Sequence, residues 1–388
     1  MNRLTKQLAA TLLATAGALV LLAVGVEAWT RARWNEKQGT PGFFLSDPVR
    51  VQRLAPGYQG WFAGVPVTIN QLGFRDDREY ALEKSPRTFR ILVLGDSVTF
   101  GHGSVFEHTY PFLLEQKLKA WRPGVDWQVW NAAVPGYNTS QELAQLVDVG
   151  PRFQPDLVVV GFFENDFVEN FPVGTPGAAA RARSAAMTWL YRHVYSIELY
   201  KRLYLQLAWK LSHANTYHQR LLHVAEEERL TASPSEVADA EAQRLTPYDE
   251  LPEQETACPE PVASGPDVRD AIQREPGWSD WVAAVRRFQQ LHRDGAYAIV
   301  FFANVVPREC GVKDVFVDAG SAALNDFYMS FLANGTPAVS TYDAFRRLRP
   351  SQMPNAAGHA LGNANAVKAD VLFRFLRDRV LASSPRLQ

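Results

Sequence analysis

The stretch Phe89–Gly101, which reads FRILVLGDSVTFG, decides how this chain folds. Its first half is the apolar run Ile91-Leu92-Val93-Leu94, which is typical of a buried strand in a parallel sheet. The run breaks at Gly95 and brings Ser97 to the carboxyl end of that strand. In open α/β sheets, ligands and reacting groups gather beyond the strand ends, so we predict that Ser97 is a nucleophile. The alternative is a plain turn in which Ser97 only bonds nearby backbone.

Two later blocks have the same form. The apolar run Trp127 to Trp130 leads into a segment that contains Gly136, and the run from Asp156 leads into Gly161-Phe162-Phe163-Glu164-Asn165-Asp166. Ester cleavage by a serine needs hydrogen-bond donors at the oxygen that becomes negative in the tetrahedral intermediate. A glycine N–H at 136 and the side-chain amide of Asn165 are suitable donors.

With these three blocks the chain resembles the SGNH hydrolases, also called the GDSL esterase and lipase family. The resemblance rests on Gly95-Asp96-Ser97-Val98, on Gly136 and on the segment around Asn165. It implies a three-layer α/β/α sandwich with a flavodoxin-like parallel five-stranded sheet. It also implies an esterase or O-acyltransferase in which the Ser97 N–H, the Gly136 N–H and the Asn165 amide hold the oxyanion. Such enzymes act on acylated small molecules, lipids or polysaccharides.

The fourth family block is where this sequence departs from the pattern. The family usually has an Asp, two further residues and a catalytic His followed by Pro-Asn or Pro-Ser, whereas this chain reads PSQMPNAAGH over residues 350–359. Taken literally, Pro350 occupies the Asp position and Met353 the His position. That register predicts a non-catalytic envelope protein that binds a glycan or a partner acyltransferase.

The second possibility is that His359 is the general base for Ser97. A backbone carbonyl, Asn355 or the more distant Asp343 would then orient its imidazole. Both alternatives remain open from the sequence alone.

Charge and motif content exclude several other classes of protein. The net charge is −1 and the pI is about 6.7, so the chain has no electrostatic footprint for nucleic acid. The sequence has no Walker loop, no Cys-x-x-Cys and no His-Glu-x-x-His motif. We therefore predict no cofactor and no metal.

The first 34 residues indicate the compartment. Leu8 to Val26 is almost wholly apolar, and about twenty such residues suffice to span the hydrocarbon core. Trp29 and Trp34 lie where aromatic belts form, which favours a retained transmembrane anchor over a cleaved signal peptide. The cleavage alternative rests on the small residue in Val26-Glu27-Ala28. Either alternative predicts an extracytoplasmic, periplasmic or cell-surface protein, with the membrane as a partner of a retained anchor.

The two cysteines, Cys258 and Cys310, lie in loop-like sequence. An even pair in a chain with an export-type segment predicts one disulfide, and two unpaired thiols are the alternative.

The remaining chain divides into a connector over 35–85, which contains a β-hairpin, and an SGNH hydrolase domain over 86–388. An insertion over 172–277 interrupts that domain between its third and fourth strands. The first half of the insertion is helical in pattern and rich in aromatic residues, and its second half is acidic with the composition of a poorly ordered segment. It is either a lid over the site or packing against the sheet. The predicted sheet strands are Arg90–Leu94, Trp127–Trp130, Leu157–Phe162, Tyr297–Asn304 and Ala338–Tyr342.

Overall fold

The computed structural model describes residues 3–35, 39–168, 189–190, 193–197, 199–200, 203, 244–254, 268–307, 314–316, 319–353, 355–356, 359–384 and 387. Most of the insertion predicted over 172–277 lies outside these ranges, so its role as lid or packing segment stays a prediction. Cys258 and Cys310 also lie outside them, and the disulfide likewise stays a prediction.

The N-terminal helix α1, Arg3–Arg33, is the expected apolar segment. Its portion Gln7–Arg33 has a mean hydropathy of 2.2, and none of its most apolar part is buried against the rest of the chain. At 27 residues that portion is long enough to cross a bilayer, although a signal sequence shares these properties. Near its C-terminal end, Glu27 accepts hydrogen bonds from the backbone N–H groups of Tyr195 and Ser196, both at 2.9 Å.

The connector forms two antiparallel hairpins. Strands β1 (Phe44–Asp47) and β2 (Val51–Leu54) make the first, which the sequence did not predict, and β3 (Gln59–Phe62) and β4 (Val65–Thr68) make the second. Phe43, Leu45 and other apolar side chains of the connector pack in one cluster with Phe100, Val134 and Leu361 of the following domain. The connector is therefore packed against the region that carries Ser97.

Among the described residues, five parallel strands form the main sheet, in the order β6-β5-β7-β8-β9. They are β5 (Thr88–Leu94), β6 (Asp126–Asn131), β7 (Leu157–Phe162), β8 (Ile299–Ala303) and β9 (Ala338–Ser340). Every residue of β5, β7 and β8 is buried, as expected for strands covered on both faces. The predicted flavodoxin-like order is confirmed, and each predicted strand is found within two residues at either end.

Helices cover both faces of this sheet. The helices α3 (Tyr110–Trp121) and Asn363–Phe375, named here the C-terminal helix, share one apolar cluster with the sheet. On the other face lie α4 (Thr139–Phe153), Trp278–Arg293 and Ala319–Leu332, together with the short helix Val268–Gln273. The three-layer α/β/α architecture is therefore confirmed.

Two described parts of the second half of the insertion form regular structure, contrary to the expectation from its composition: the helix Val268–Gln273 and residues 244–254. Residues 244–254 include a 3₁₀ turn, Tyr248–Glu250, and the buried side chain of Leu251. Gln254 exchanges two hydrogen bonds with the backbone of Phe316, at 3.0 and 3.1 Å. The acidic composition of this segment gave no sign that Leu251 would pack in an apolar cluster with Phe345 and Leu348.

Candidate active site

A short helix places Ser97 at the end of β5. Helix α2, Ser97–Phe100, begins at Ser97 itself, directly after the turn that follows the strand. Asp96 is its N-cap, and Oδ1 of Asp96 accepts a hydrogen bond from the Val98 N–H at 2.9 Å. Gly101, with φ of 84°, ends the helix in the left-handed conformation that glycine tolerates best. Ser97 therefore sits at the N-terminus of a helix that is rigidly capped at both ends.

Two glycines of the family blocks make room for the Thr99 side chain. A Cβ added to Gly95 or to Gly161 would overlap with Oγ1 of Thr99. Thr99 is fully buried, and its Oγ1 accepts a hydrogen bond from the Tyr110 hydroxyl at 3.0 Å. The ends of β5 and β7 can approach α2 this closely because neither glycine carries a side chain.

The connector supports the other end of α2 through Arg75. Its guanidinium is buried and donates to the carbonyls of Phe100 and Gly101 at 2.7 and 2.6 Å, and also to the carbonyl of Ser104. The carbonyls of Phe100 and Gly101 lie at the C-terminal end of α2, where a positive charge is favourable. Arg75 therefore fixes the loop that carries the nucleophile.

His359 is in contact with Ser97. The distance from His359 Nε2 to Ser97 Oγ is 2.8 Å, and both residues are half-buried. His359 begins the two-residue strand β11, His359–Ala360, which pairs with β10, Asn355–Ala356. This is the geometry of a nucleophile with an adjacent base.

Met353 occupies a different environment. Its side chain is 6% exposed and packs with Leu251, Leu348 and Val367 in an apolar cluster. Met353 thus lies in the core, and the histidine that contacts Ser97 lies six residues later. The reason is the β10–β11 hairpin, which extends the chain and brings His359 over Ser97.

The other two predicted site residues lie at the expected strand ends. The loop before Gly136 is held by the Val134 N–H, which donates to the Gly95 carbonyl at 3.0 Å, and Gly136 itself is exposed with φ of 79°. Asn165 is the first residue of α5, Asn165–Val168, just beyond β7. The structure brings all three family blocks to one edge of the sheet.

Asp343, the distant acid considered as an orienting group, lies elsewhere. Its side chain is 81% exposed and forms an ion pair with Arg346 at 2.9 Å. Asn355 pairs through its backbone with Ala360.

Four buried ionisable groups lie behind the serine. Burial raises the pKa of Asp96 to about 6, although backbone N–H donors, the Asn165 side chain and the charge of Lys368 all act to lower it. Burial lowers the pKa of Lys368 to about 8, against the attraction of Asp96. Burial also raises the pKa values of Glu142 and Asp166 well above their usual range, with smaller contributions from neighbouring carboxylates. Burial therefore disfavours the charged form of each of these four groups.

A cavity of about 170 Å³ opens beside His359. Its polar wall includes His102, Asn304 and Lys368, whereas Phe162, Val305 and Tyr328 contribute to its apolar wall. Lys368 Nζ has a long hydrogen bond of 3.5 Å to Asn365 Oδ1. Within the described part of the chain, no group of three or more His, Cys, Asp or Glu side chains is arranged to bind a metal ion.

Sequence reasoning missed three residues at this site: Arg75, His102 and Lys368. Arg75 lies in the connector, outside the three family blocks. His102 follows Gly101 directly, so its closeness to Ser97 was visible, but its contact with His359 spans 257 positions of sequence. Lys368 interrupts the apolar pattern of the C-terminal helix, and a charged residue on a buried face was the signal that could have marked it.

Sequence comparison adds independent information. Residues 93–255 match the GDSL-like Lipase/Acylhydrolase family. An arylesterase of Vibrio mimicus is 35% identical over 83 residues, which amount to 21% of this chain and 40% of that protein. The match thus spans less than half the length of this curated relative.

Two solved structures show distant similarity. A catalytic mutant of an acetylxylan esterase from Geobacillus stearothermophilus aligns with 77% of this chain and 96% of its own, with 12% identity and a TM-score of 0.39. A two-domain esterase active on acetylated mannans aligns with 77% of this chain and 51% of its own, with 15% identity and a TM-score of 0.34. The three sequence blocks, their convergence at one sheet edge and the match over residues 93–255 agree, and this part of the chain is similar to the GDSL-like lipase/acylhydrolase family.

Proposed function

We propose that this protein is a serine esterase of the cell envelope that cleaves or transfers O-acyl groups. The hydrogen bond of 2.8 Å between Ser97 Oγ and His359 Nε2 is the observation that carries the proposal. A serine hydroxyl is a weak nucleophile until a base accepts its proton, and this contact supplies the base. The position of the pair at the carboxyl ends of the strands leaves it accessible to substrate.

The reaction would proceed in two steps. Ser97 Oγ attacks the ester carbonyl carbon while His359 Nε2 takes the hydroxyl proton. The oxyanion that forms is held by the Ser97 N–H, the Gly136 N–H and the Asn165 side-chain amide. The bond to the alcohol oxygen then breaks, and His359 returns the proton to the departing alkoxide.

The product of this first step is an acyl ester on Ser97. Water, or a sugar hydroxyl in a transfer reaction, then attacks its carbonyl carbon while His359 takes the proton of the attacking group. When the second tetrahedral intermediate collapses, the bond from the acyl carbon to Ser97 Oγ breaks, His359 returns the proton to Oγ, and the acyl group leaves as a carboxylic acid or as the new ester. The reaction requires no oxidant, reductant or metal from outside the chain.

The length and hydropathy of α1 support the envelope location. An anchor would hold the site close to the extracytoplasmic face of a membrane, where acylated lipids and polysaccharides are the candidate substrates. Protease accessibility in spheroplasts and in lysed spheroplasts tests this location, because digestion before lysis requires a domain on the outer side of the cytoplasmic membrane.

A fluorophosphonate probe tests the activity. We expect the full chain in detergent to be labelled at Ser97, as read by peptide mass spectrometry, and Ser97→Ala to remove the label. His359→Ala should slow labelling by about 100-fold or more, because a positioned base contributes roughly that factor. A folded protein that neither reacts at Ser97 nor hydrolyses aryl esters would favour the non-catalytic binding protein instead.

The oxyanion assignment has its own test. Asn165→Ala should reduce turnover of an aryl ester by about 100-fold or more with little change in KM, since the amide acts mainly on the transition state. Undiminished turnover in a folded Asn165→Ala protein would contradict the assignment.

A further inference from the structure

A second histidine lies flat against His359. The ring centroids of His102 and His359 are 4.4 Å apart, and their planes differ by 20°. His102 is 9% exposed, and both residues line the cavity beside the serine. The stacked pair therefore belongs to the wall of the proposed site.

The rest of the structure holds His102 firmly. It follows the glycine that ends α2, and its backbone N–H donates to the Ser97 carbonyl at 3.0 Å. The ring of Phe62 meets the His102 ring edge to face, with centroids 5.1 Å apart and planes at 82°. The connector, the nucleophile loop and His359 thus meet at this imidazole.

The fourth family block bears on how the His359 ring is held. A catalytic histidine must be held in one ring orientation, and a carboxylate commonly does this in Ser-His-Asp sites. The family pattern has that acid three residues before the histidine, and the residue there is Ala356 when His359 is the base. His359 also stands on a hairpin strand of only two residues.

We propose that His102 is a positioning residue for His359, with its ring as the platform that keeps Nε2 directed at Ser97 Oγ. This inference rests on the proposed function, in which His359 is the base. A flat ring at stacking distance hinders rotation of the His359 imidazole, because any large rotation would drive its edge into the His102 face.

Three replacements of His102 separate a platform from plain filling of space. His102→Phe keeps a flat ring, His102→Leu keeps apolar volume without one, and His102→Ala removes both. We expect kcat for an aryl ester to stay within about 3-fold in the Phe variant and to fall by about 10- to 100-fold in the other two, since a small misplacement of a reacting group has effects of this size. KM should change little, because the ring does not bind substrate.

A matched control is His292→Ala. His292 is a partly buried histidine on Trp278–Arg293, and its Nδ1 accepts the Ile299 N–H at 3.0 Å, away from the cavity. This variant should lower the thermal unfolding temperature without changing kcat. Equal losses of kcat in the Phe, Leu and Ala variants at position 102, or no loss in any, would overturn the proposal.

A crystal structure of His102→Ala gives a readout that does not depend on activity. We expect the His359 ring to rotate and the distance from Nε2 to Ser97 Oγ to exceed 3.5 Å, beyond hydrogen-bonding range. A retained contact near 2.8 Å would overturn the positioning role even if the protein proved to be no esterase. Failure of the proposed function would show differently, as an intact wild-type pair that neither reacts with fluorophosphonate nor turns over ester.

Discussion

Replacing Met353 by alanine should destabilise the fold and leave the ester-cleaving activity intact. Replacing His359 by alanine should remove most of that activity and leave the fold intact. The contrast addresses the two registers of the fourth block directly. Met353 is 6% exposed in an apolar cluster, while His359 contacts the serine hydroxyl. The two variants thus remove a core side chain and a proposed base.

The magnitudes follow from these environments. Met353→Ala removes Cγ, Sδ and Cε from a buried position, and at about 0.8 kcal/mol for each buried group the transfer contribution is about 2.4 kcal/mol. A cavity that fails to close adds to this, so we expect a loss of about 3 kcal/mol within the usual range of 2–5 kcal/mol. His359→Ala should lower turnover by about 100- to 10,000-fold, which corresponds to roughly 3–5 kcal/mol in the activation barrier.

Urea unfolding and initial rates of aryl-ester hydrolysis measure the two effects separately. Rates are compared at a temperature at which each variant is fully folded. Met353→Leu is the control, since a swap that nearly conserves volume should cost less than about 1.5 kcal/mol. If folded Met353→Ala loses activity as severely as His359→Ala, or if His359→Ala retains it, the assignment of the base is refuted.

Three further changes test the surroundings of the site. Gly161→Ala should lower the unfolding free energy by about 1–3 kcal/mol, because its Cβ would overlap with Thr99, and adding Thr99→Ala should recover part of the loss in urea unfolding. Burial lowers the pKa of Lys368 from 10.5 to about 8, so the folded state releases this proton at a lower pH than the unfolded state does. The free energy of unfolding of the wild type should therefore rise by up to about 3 kcal/mol between pH 8 and pH 10.5. Lys368→Met should lack that gain, and identical pH dependence of unfolding in both proteins would contradict it. Ala356→Asp places a carboxylate directly across the hairpin from His359, where it should stabilise the imidazolium form of that histidine. The acid limb of the pH–rate profile should therefore move to higher pH, and Ala356→Asn should not produce this shift.

Local sequence predicted much of the fold. The strands of the sheet are mostly apolar runs, and parallel strands covered on both faces are recognisable from such runs alone. The β1–β2 hairpin was missed because β1 and β2 have four residues each and are too short for a clear alternation of apolar and polar residues. Helix α2, also four residues, was missed because a single turn leaves no helical period in the sequence.

The site was predictable only where its residues lie at strand ends. Ser97, Gly136 and Asn165 each follow an apolar run, and the topology of a parallel sheet brings such positions to one edge. Arg75 and His102 depend on contacts between segments, and no local pattern encodes a stacking partner. The contacts of Arg75 and His102 near Ser97 therefore depend on tertiary packing, which the local sequence does not reveal.

The fourth block shows how a departure from a family pattern can be compatible with function. Alignment of Pro354-Asn355 with the family's Pro-Asn places Met353 at the position of the catalytic histidine. The Met353 side chain packs in the apolar core. Six residues later, the β10–β11 hairpin returns the chain toward the serine and presents His359. The hairpin brings His359 to Ser97, but the position three residues before His359, where the family has an acid, holds Ala356. The imidazole of His102, stacked on the His359 ring, is the neighbour that we propose keeps this base directed at Ser97.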